Sequence, residues 1–192
     1  MLLKDKKIIF GLTSSQYAFE KTIPQILRLT KEGAEVIPVM SYDAYNVDSK
    51  FGKAKEFVKR IEEVTSKKVI HTNEDAENFN DFNEIDIMEI CPCSGNTIGK
   101  LAIGIMDTPV LKMAKKILRN DKCLVLGIAT ADGLAGNAEN IGKLLNRKNI
   151  FFVPFRQDNP ITKPRSLSFE PKYIFDTTMY ALNKEQIQPI LL

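Results

Sequence analysis

The most restrictive feature of this chain is a regular alternation of short apolar runs with longer amphipathic stretches. Runs of strand length cover residues 7–13, 35–41, 67–71, 85–91, 123–129 and 150–154. Between them, apolar residues recur at helical spacing, as at Tyr17, Ile23, Ile26, Leu27 and Leu29, and at Phe57, Val58, Ile61 and Val64. Lys7-Ile-Ile-Phe-Gly-Leu-Thr is apolar at nearly consecutive positions, as a strand covered on both faces must be. No hairpin signal separates the runs. The pattern therefore predicts a parallel sheet with helices on both faces and right-handed crossovers.

The expected architecture is a three-layer α/β/α, Rossmann-like (flavodoxin-like) single domain over residues 1–192, with a mainly parallel sheet of about six strands. A chain of 192 residues fits one domain and buries a core without disulfides or metals. Gly33 is a helix stop, and Pro109 opens a helix that runs to about residue 120. Pro38 puts the second strand near an edge or a bulge. Pro92 is expected to end the fourth strand, with helices after it at 94–105 and, further on, at 133–147. Residues 72–84, acidic and rich in Asn, read as a surface connection. Residues 155–171 hold Pro160, Pro164 and Pro171 and read as an irregular loop, followed by a last helix at 172–183.

Charge narrows the partners. The chain has 27 Lys and Arg against 24 Asp and Glu, interleaved along helices such as 53–63, which argues against a nucleic-acid surface. No apolar stretch approaches the roughly 20 residues that span a bilayer. The N-terminus enters a strand directly, without the apolar core of a signal peptide. Three cysteines, an odd number, read as reduced thiols of a cytoplasmic protein.

In an open parallel sheet, ligands bind beyond the carboxyl ends of the strands. Gly11-Leu-Thr-Ser-Ser follows the first strand. Its glycine permits a tight turn, and Thr13, Ser14 and Ser15 lie at a helix start, where free N–H groups favour an anion. Ser14 or Ser15 capping the helix is the alternative. The dinucleotide and Walker fingerprints are both absent. Pro92-Cys-Ser-Gly-Asn-Thr follows the fourth strand and offers Cys93, Ser94, Asn96 and Thr97 at a second helix start. Two such starts facing each other suit a flat ring with a phosphate tail; capping plus packing at Gly95 is again the alternative. Thr130 and Asp132 follow the fifth strand, with Asp132 the expected cap of the next helix. Ser41 and Tyr42 are candidates for one wall. His71, the only histidine, reads as structural, and no metal or Ser-His-Asp spacing is present.

The segment from Pro92 to Asp107 resembles a signature of the flavoprotein family that includes phosphopantothenoylcysteine decarboxylase and the lantibiotic cysteine decarboxylases. In that family a Pro-Ala-[Ser/Thr]-Ala-Asn-Thr turn binds FMN. Pro92, Ser94, Asn96, Thr97, Lys100, Ala102, Gly104 and Asp107 match its pattern, and residues 11–15 resemble its phosphate-binding start. The resemblance implies an FMN pocket formed by Gly11, Thr13, Ser14, Ser15, Ser41, Pro92, Cys93, Ser94, Asn96, Thr97 and Thr130.

Within the family, residues 32–42, 60–65, 107–111 and 148–158 resemble the small flavoprotein-like components that serve dipicolinic acid formation in spore-forming bacteria. This implies a dehydrogenase-like partner, the A component of dipicolinate synthase, carrying NADP, and oxidation of a dihydrodipicolinate-type precursor. It also implies a homo-oligomer, a trimer or larger. The substrate would be a small dicarboxylate, for which Arg156, Lys163 and Arg165 are the candidate cations. Two departures separate the chain from the decarboxylases. Their Pro-x-Met-Asn motif is replaced by Ala129-Thr-Ala-Asp-Gly, and the region of their catalytic histidine, around 77–80, holds none. An FMN-dependent decarboxylase and a non-catalytic, partner-stabilising protein are the other readings.

Overall fold

The computed structural model describes residues 1–192. Its seven strands are β1 (Lys7–Leu12), β2 (Glu35–Met40), β3 (Ile87–Ser94), β4 (Cys123–Thr130), β5 (Ile150–Phe152), β6 (Phe155–Asn159) and β7 (Lys163–Phe169). They form one sheet in the order β2-β1-β3-β4-β7-β6, and β5 also pairs with β4. The pairs among β1 to β5 are parallel, whereas β7 runs antiparallel to β4 and to β6. Eight helices complete the chain: α1 (Phe19–Lys31), α2 (Tyr42–Asn46), α3 (Ala54–Thr65), α4 (Asn73–Asn78), α5 (Gly95–Ile103), α6 (Pro109–Arg119), α7 (Ala138–Leu145) and α8 (Ile174–Leu182). None is long and apolar enough to cross a membrane.

The local reasons are those the residues announce. All eight residues of β3 and all eight of β4 are buried, as central strands sandwiched between layers of helices require. Gly33 ends α1 at φ 98°, a left-handed conformation that costs glycine nothing. Pro109 occupies the first turn of α6, and the Thr108 side chain caps it by accepting from the Leu111 N–H at 3.3 Å. Pro38 lies on β2, at one end of the strand order, where a missing N–H is tolerated.

Five expectations are corrected. Residues 67–71 make only one bridge, Val39 to Ile70, and Lys67 and Lys68 before it form ion pairs with Glu35 and Glu62. Residues 72–84 are not a bare connection. They hold α4, capped by Thr72 and acidic in its first turn, and a 3₁₀ turn whose Phe82 is buried against Phe79. Pro92 does not end β3. The strand continues to Ser94 through a register shift between Ile90 and Cys93, and the Cys91–Pro92 peptide is cis. The helix expected over 133–147 is confined to α7, because residues 131–137 coil around Asp132.

The loop expected at 155–171 is the hairpin of β6 and β7. Its prolines fall where no ladder N–H is needed: Pro160 in the turn, Pro164 near the start of β7 and Pro171 beyond its end. The hairpin extends the sheet beyond β4 and carries its tip towards the carboxyl ends of β1 and β4.

Candidate functional site

The site is built where β1, β3 and β4 end side by side. Leu12 closes β1, and the next residue, Thr13, is only 1% exposed. Its N–H donates to the Pro92 carbonyl at 3.2 Å, and its hydroxyl donates to the same oxygen at 2.8 Å. The same hydroxyl accepts from the Ser94 N–H at 2.8 Å. Ser15 Oγ donates to the Ala129 carbonyl at 3.0 Å. Three strand ends are thus tied together, and the turns after β1 and β3 converge.

Neither turn spends its hydroxyls on capping. Ser15 precedes the 3₁₀ turn Gln16–Ala18 that runs into α1, and Ser94 precedes α5; neither side chain makes a cap hydrogen bond. Ser94 Oγ lies 3.1 Å from Thr97 Oγ1 instead. The first N–H groups of α5 lack a side-chain partner, and the Ser14 and Ser15 amides take no part in the backbone bonding of the turn. The capping alternative does not describe these starts.

Two clefts open from this point. One, of about 660 Å³, lies between α5 and the 131–137 turn and is lined by Gly95, Asn96, Lys100, Thr130, Asp132 and Asn137, among others. The other, of about 340 Å³, is lined by Ser14, Ser15, Tyr17, Phe51, Thr130 and Lys163, among others. Thr130 and Ala131 belong to both. Gly95 packs closely in the first cleft: a Cβ there would collide with Thr130 Oγ1 and stand 2.9 Å from Asn137 Nδ2. Asp132 does not cap α7 with its side chain. Thr130 and Asn137 both donate to its carboxylate, and these bonds hold it below the usual carboxylate range. Ser41 Oγ and Gln16 Oε1 are buried without a partner, two orphaned polar atoms at the β1–β2 end of the site.

The sequence candidates separate into three groups. Ser14, Ser15, Asn96 and Thr130 line the clefts. Thr13, Ser94 and Thr97 are buried, and their hydroxyls are engaged with one another or with Pro92. Gly11, Pro92 and Cys93 lie within the sheet. Gly11 leaves room for Val110, which a Cβ would approach to 3.1 Å, and burial pushes the Cys93 thiol well up. Of the three cations, Lys163 reaches the second cleft, where it pairs with Asp158 at 2.9 Å. Arg156 faces a separate 140 Å³ hollow beside Lys21 and pairs with Glu170 at 3.3 Å. Arg165 is exposed and lines none of the three.

Tyr42 is 68% exposed on α2, and His71 stacks on Tyr45 at 3.7 Å in another hollow. Sequence reasoning does not single out Asn137, Phe51 or Tyr17. Tyr17 and Phe51 blend into helical stripes, and only the turn-forming Asp48-Ser49-Lys50 before Phe51 hints otherwise.

Beneath the site, Glu89 of β3 is fully buried and accepts from Thr178 Oγ1 of α8 at 2.7 Å, with its second oxygen unpartnered. Burial pushes its carboxyl up to about 8, against the opposing effect of that hydrogen bond.

Comparison with known proteins agrees with this geometry. The Flavoprotein family model matches residues 2–169. The chain is 42% identical over 190 residues to the B component of dipicolinate synthase from Bacillus subtilis, covering 99% of this chain and 95% of that one. The crystal structure of the same component from Bacillus halodurans superposes with a TM-score of 0.90 at 38% identity, over 100% and 98% of the two chains. The FMN-dependent cysteine decarboxylase SpaF shares the fold alone, with a TM-score of 0.68 at 16% identity over 95% and 98%. Taken with the α/β sheet and the two converging turns, these likenesses show that the chain belongs to the Flavoprotein family.

Proposed function

We propose that this chain is the B component of a dipicolinate synthase and holds FMN across the two clefts. One observation carries the reading: two uncapped helix starts, latched to each other through Thr13, open onto a shared floor at Thr130 and Ala131. The residues suit the group. The free Ser14 and Ser15 N–H groups offer donors to a phosphate, and Ser41, whose unpartnered hydroxyl is buried outside both clefts, would support the turn from behind. Asn96, Thr130 and the glycine at 95 leave a polar, close-fitting berth for a flat ring. Bound FMN would supply a hydride acceptor; the protein supplies position and electrostatics.

In this reading the partner is the A component of dipicolinate synthase, dehydrogenase-like and carrying NADP, and the substrate is a dihydrodipicolinate-type diacid that loses a hydride and a proton. Lys163, freed from Asp158, is the cleft's cation for a carboxylate. Arg156 and Arg165 are assigned to the approach rather than the pocket. The chain works as a homo-oligomer in the mother-cell cytoplasm during sporulation. Decarboxylation is the weaker reading, because the family's Pro-x-Met-Asn motif is replaced by 129–133 and no histidine lines either cleft.

The test is direct. The purified chain is titrated with FMN and mixed with its dehydrogenase-like partner. Saturable flavin binding, with turnover only in the mixture, supports the proposal. A colourless protein that refuses FMN, yet activates the dehydrogenase-like partner, points to a purely partner-stabilising role.

A further inference from the structure

Phe51 is an exposed aromatic held in place by a stiff turn. The backbones of Ser49 and Gly52 bond to each other at 3.0 and 3.1 Å, and the Phe51 N–H donates to Ser49 Oγ at 3.1 Å. Asp48 Oδ1 accepts from the Ala54 N–H at 2.9 Å, and Gln16 Nε2 donates to the Val47 carbonyl at 2.7 Å. The last bond fastens the turn to the loop after β1. So braced, Phe51 still leaves 47% of its surface in water, and Tyr17 leaves 39%. The two rings stand 6.1 Å apart at 56°, an open pair lining the cleft that Ser14, Ser15 and Lys163 share. Tyr17 Oη is held 3.3 Å from Ser168 Oγ, and Lys50 Nζ lies 5.2 Å from the Phe51 ring centre.

Exposing two aromatics beside a polar cleft forfeits burial, and bracing them removes the freedom to collapse inward. The arrangement is repaid when a flat apolar face covers the rings. We infer that Tyr17 and Phe51 form a ring-recognition subsite for a planar, anionic heteroaromatic ligand whose charge is met by Lys163. This inference rests on the site reading above and adds to it the residues that select for a ring. The ring has two sources, the flavin itself or a pyridine dicarboxylate.

The experiment titrates the full chain by calorimetry with FMN, with pyridine-2,6-dicarboxylate and with inorganic phosphate, in the wild type and in Phe51→Ala, Phe51→Tyr and Tyr17→Leu. Thermal melts show that the variants fold. For whichever ring ligand binds, Phe51→Ala and Tyr17→Leu are expected to weaken it about five- to tenfold, and Phe51→Tyr to restore it. Phosphate affinity stays unchanged. If the wild type binds a ring ligand and Phe51→Ala binds it equally well, the aromatic subsite is overturned while the site reading stands. If Phe51→Ala weakens phosphate as much as the ring ligand, the subsite is likewise overturned, since the residue then shapes the turn and not a ring contact. If the wild type binds neither ring ligand, both fall.

Discussion

The hydroxyl of Thr13 accepts the backbone N–H of Ser94 at 2.8 Å across 81 positions of sequence, in a place water does not reach. It also gives its own proton to the Pro92 carbonyl. This side chain, together with the Thr13 N–H bond to the same carbonyl, sets the distance between the turns after β1 and β3. Thr13→Val keeps the shape and removes both bonds, leaving the Ser94 N–H unpaired in the interior. The expected cost is about 1–3 kcal/mol of stability in urea denaturation. Thr13→Ser should recover most of it. A valine variant as stable as the wild type would show that the latch is ornamental.

Gly95→Ala probes the floor of the clefts. The added methyl meets Thr130 Oγ1 and Asn137 Nδ2, so these side chains must give way. We expect about 1–3 kcal/mol of destabilisation and at least tenfold weaker FMN binding. The double variant Gly95→Ala/Thr130→Ala should regain part of the stability, because the nearest obstacle is gone. No recovery in its melting temperature would place the strain elsewhere.

Asn96→Asp places a carboxylate at the mouth of the first cleft, beside the uncapped N–H groups of α5. The new charge suits the helix start and opposes an anionic cofactor. Stability should therefore hold or rise while FMN affinity drops about tenfold. Equal FMN affinity in fluorescence titrations of the two proteins would remove Asn96 from the site.

Glu89 makes stability depend on pH. Its carboxyl, with an ordinary value of 4.5, is held up to about 8 by burial. Between these limits the unfolded chain gives up a proton that the native chain keeps. Stability is full below the lower limit, falls as pH rises, and stops falling above the upper one. Glu89→Gln keeps the Thr178 hydrogen bond and has no proton to lose. The gap between variant and wild type should widen by roughly 3–5 kcal/mol across the window. Parallel stability curves would mean that Glu89 ionises without cost.

The sheet centre was legible because burial on both faces leaves runs that are mostly apolar, as in β3 and β4, although the buried Glu89 interrupts the first of them. The β6–β7 hairpin was not legible. Arg156, Asp158 and Asn159 face solvent at the sheet margin, and Pro160 and Pro164 sit where the ladder does not need them. Pattern rules weigh prolines as breakers without knowing which N–H would have been used. Residues 67–71 misled in the opposite way, since the β-prone pair Val69-Ile70 found only one partner position.

The site was legible in its place and less so in its roles. Small polar residues after β1 and β3 pointed to the crevice, because ligands of an open parallel sheet bind beyond the carboxyl ends of its strands. Thr13 and Ser14 look alike as letters, yet one is interior and the other exposed. That difference comes from Pro92, which nothing local to Thr13 foretells. Phe51 likewise resembles the first core residue of α3 until the turn before it is seen in three dimensions.

The outer hairpin hangs from the rest of the sheet by a narrow attachment. β7 meets β4 only at Ala129 and Thr130, the second of which lines both clefts while the first is gripped by Ser15. Within the sheet, the only rungs that hold the hairpin are the ones that border the crevice. The seam of the hairpin and the floor of both clefts thus share one residue, Thr130.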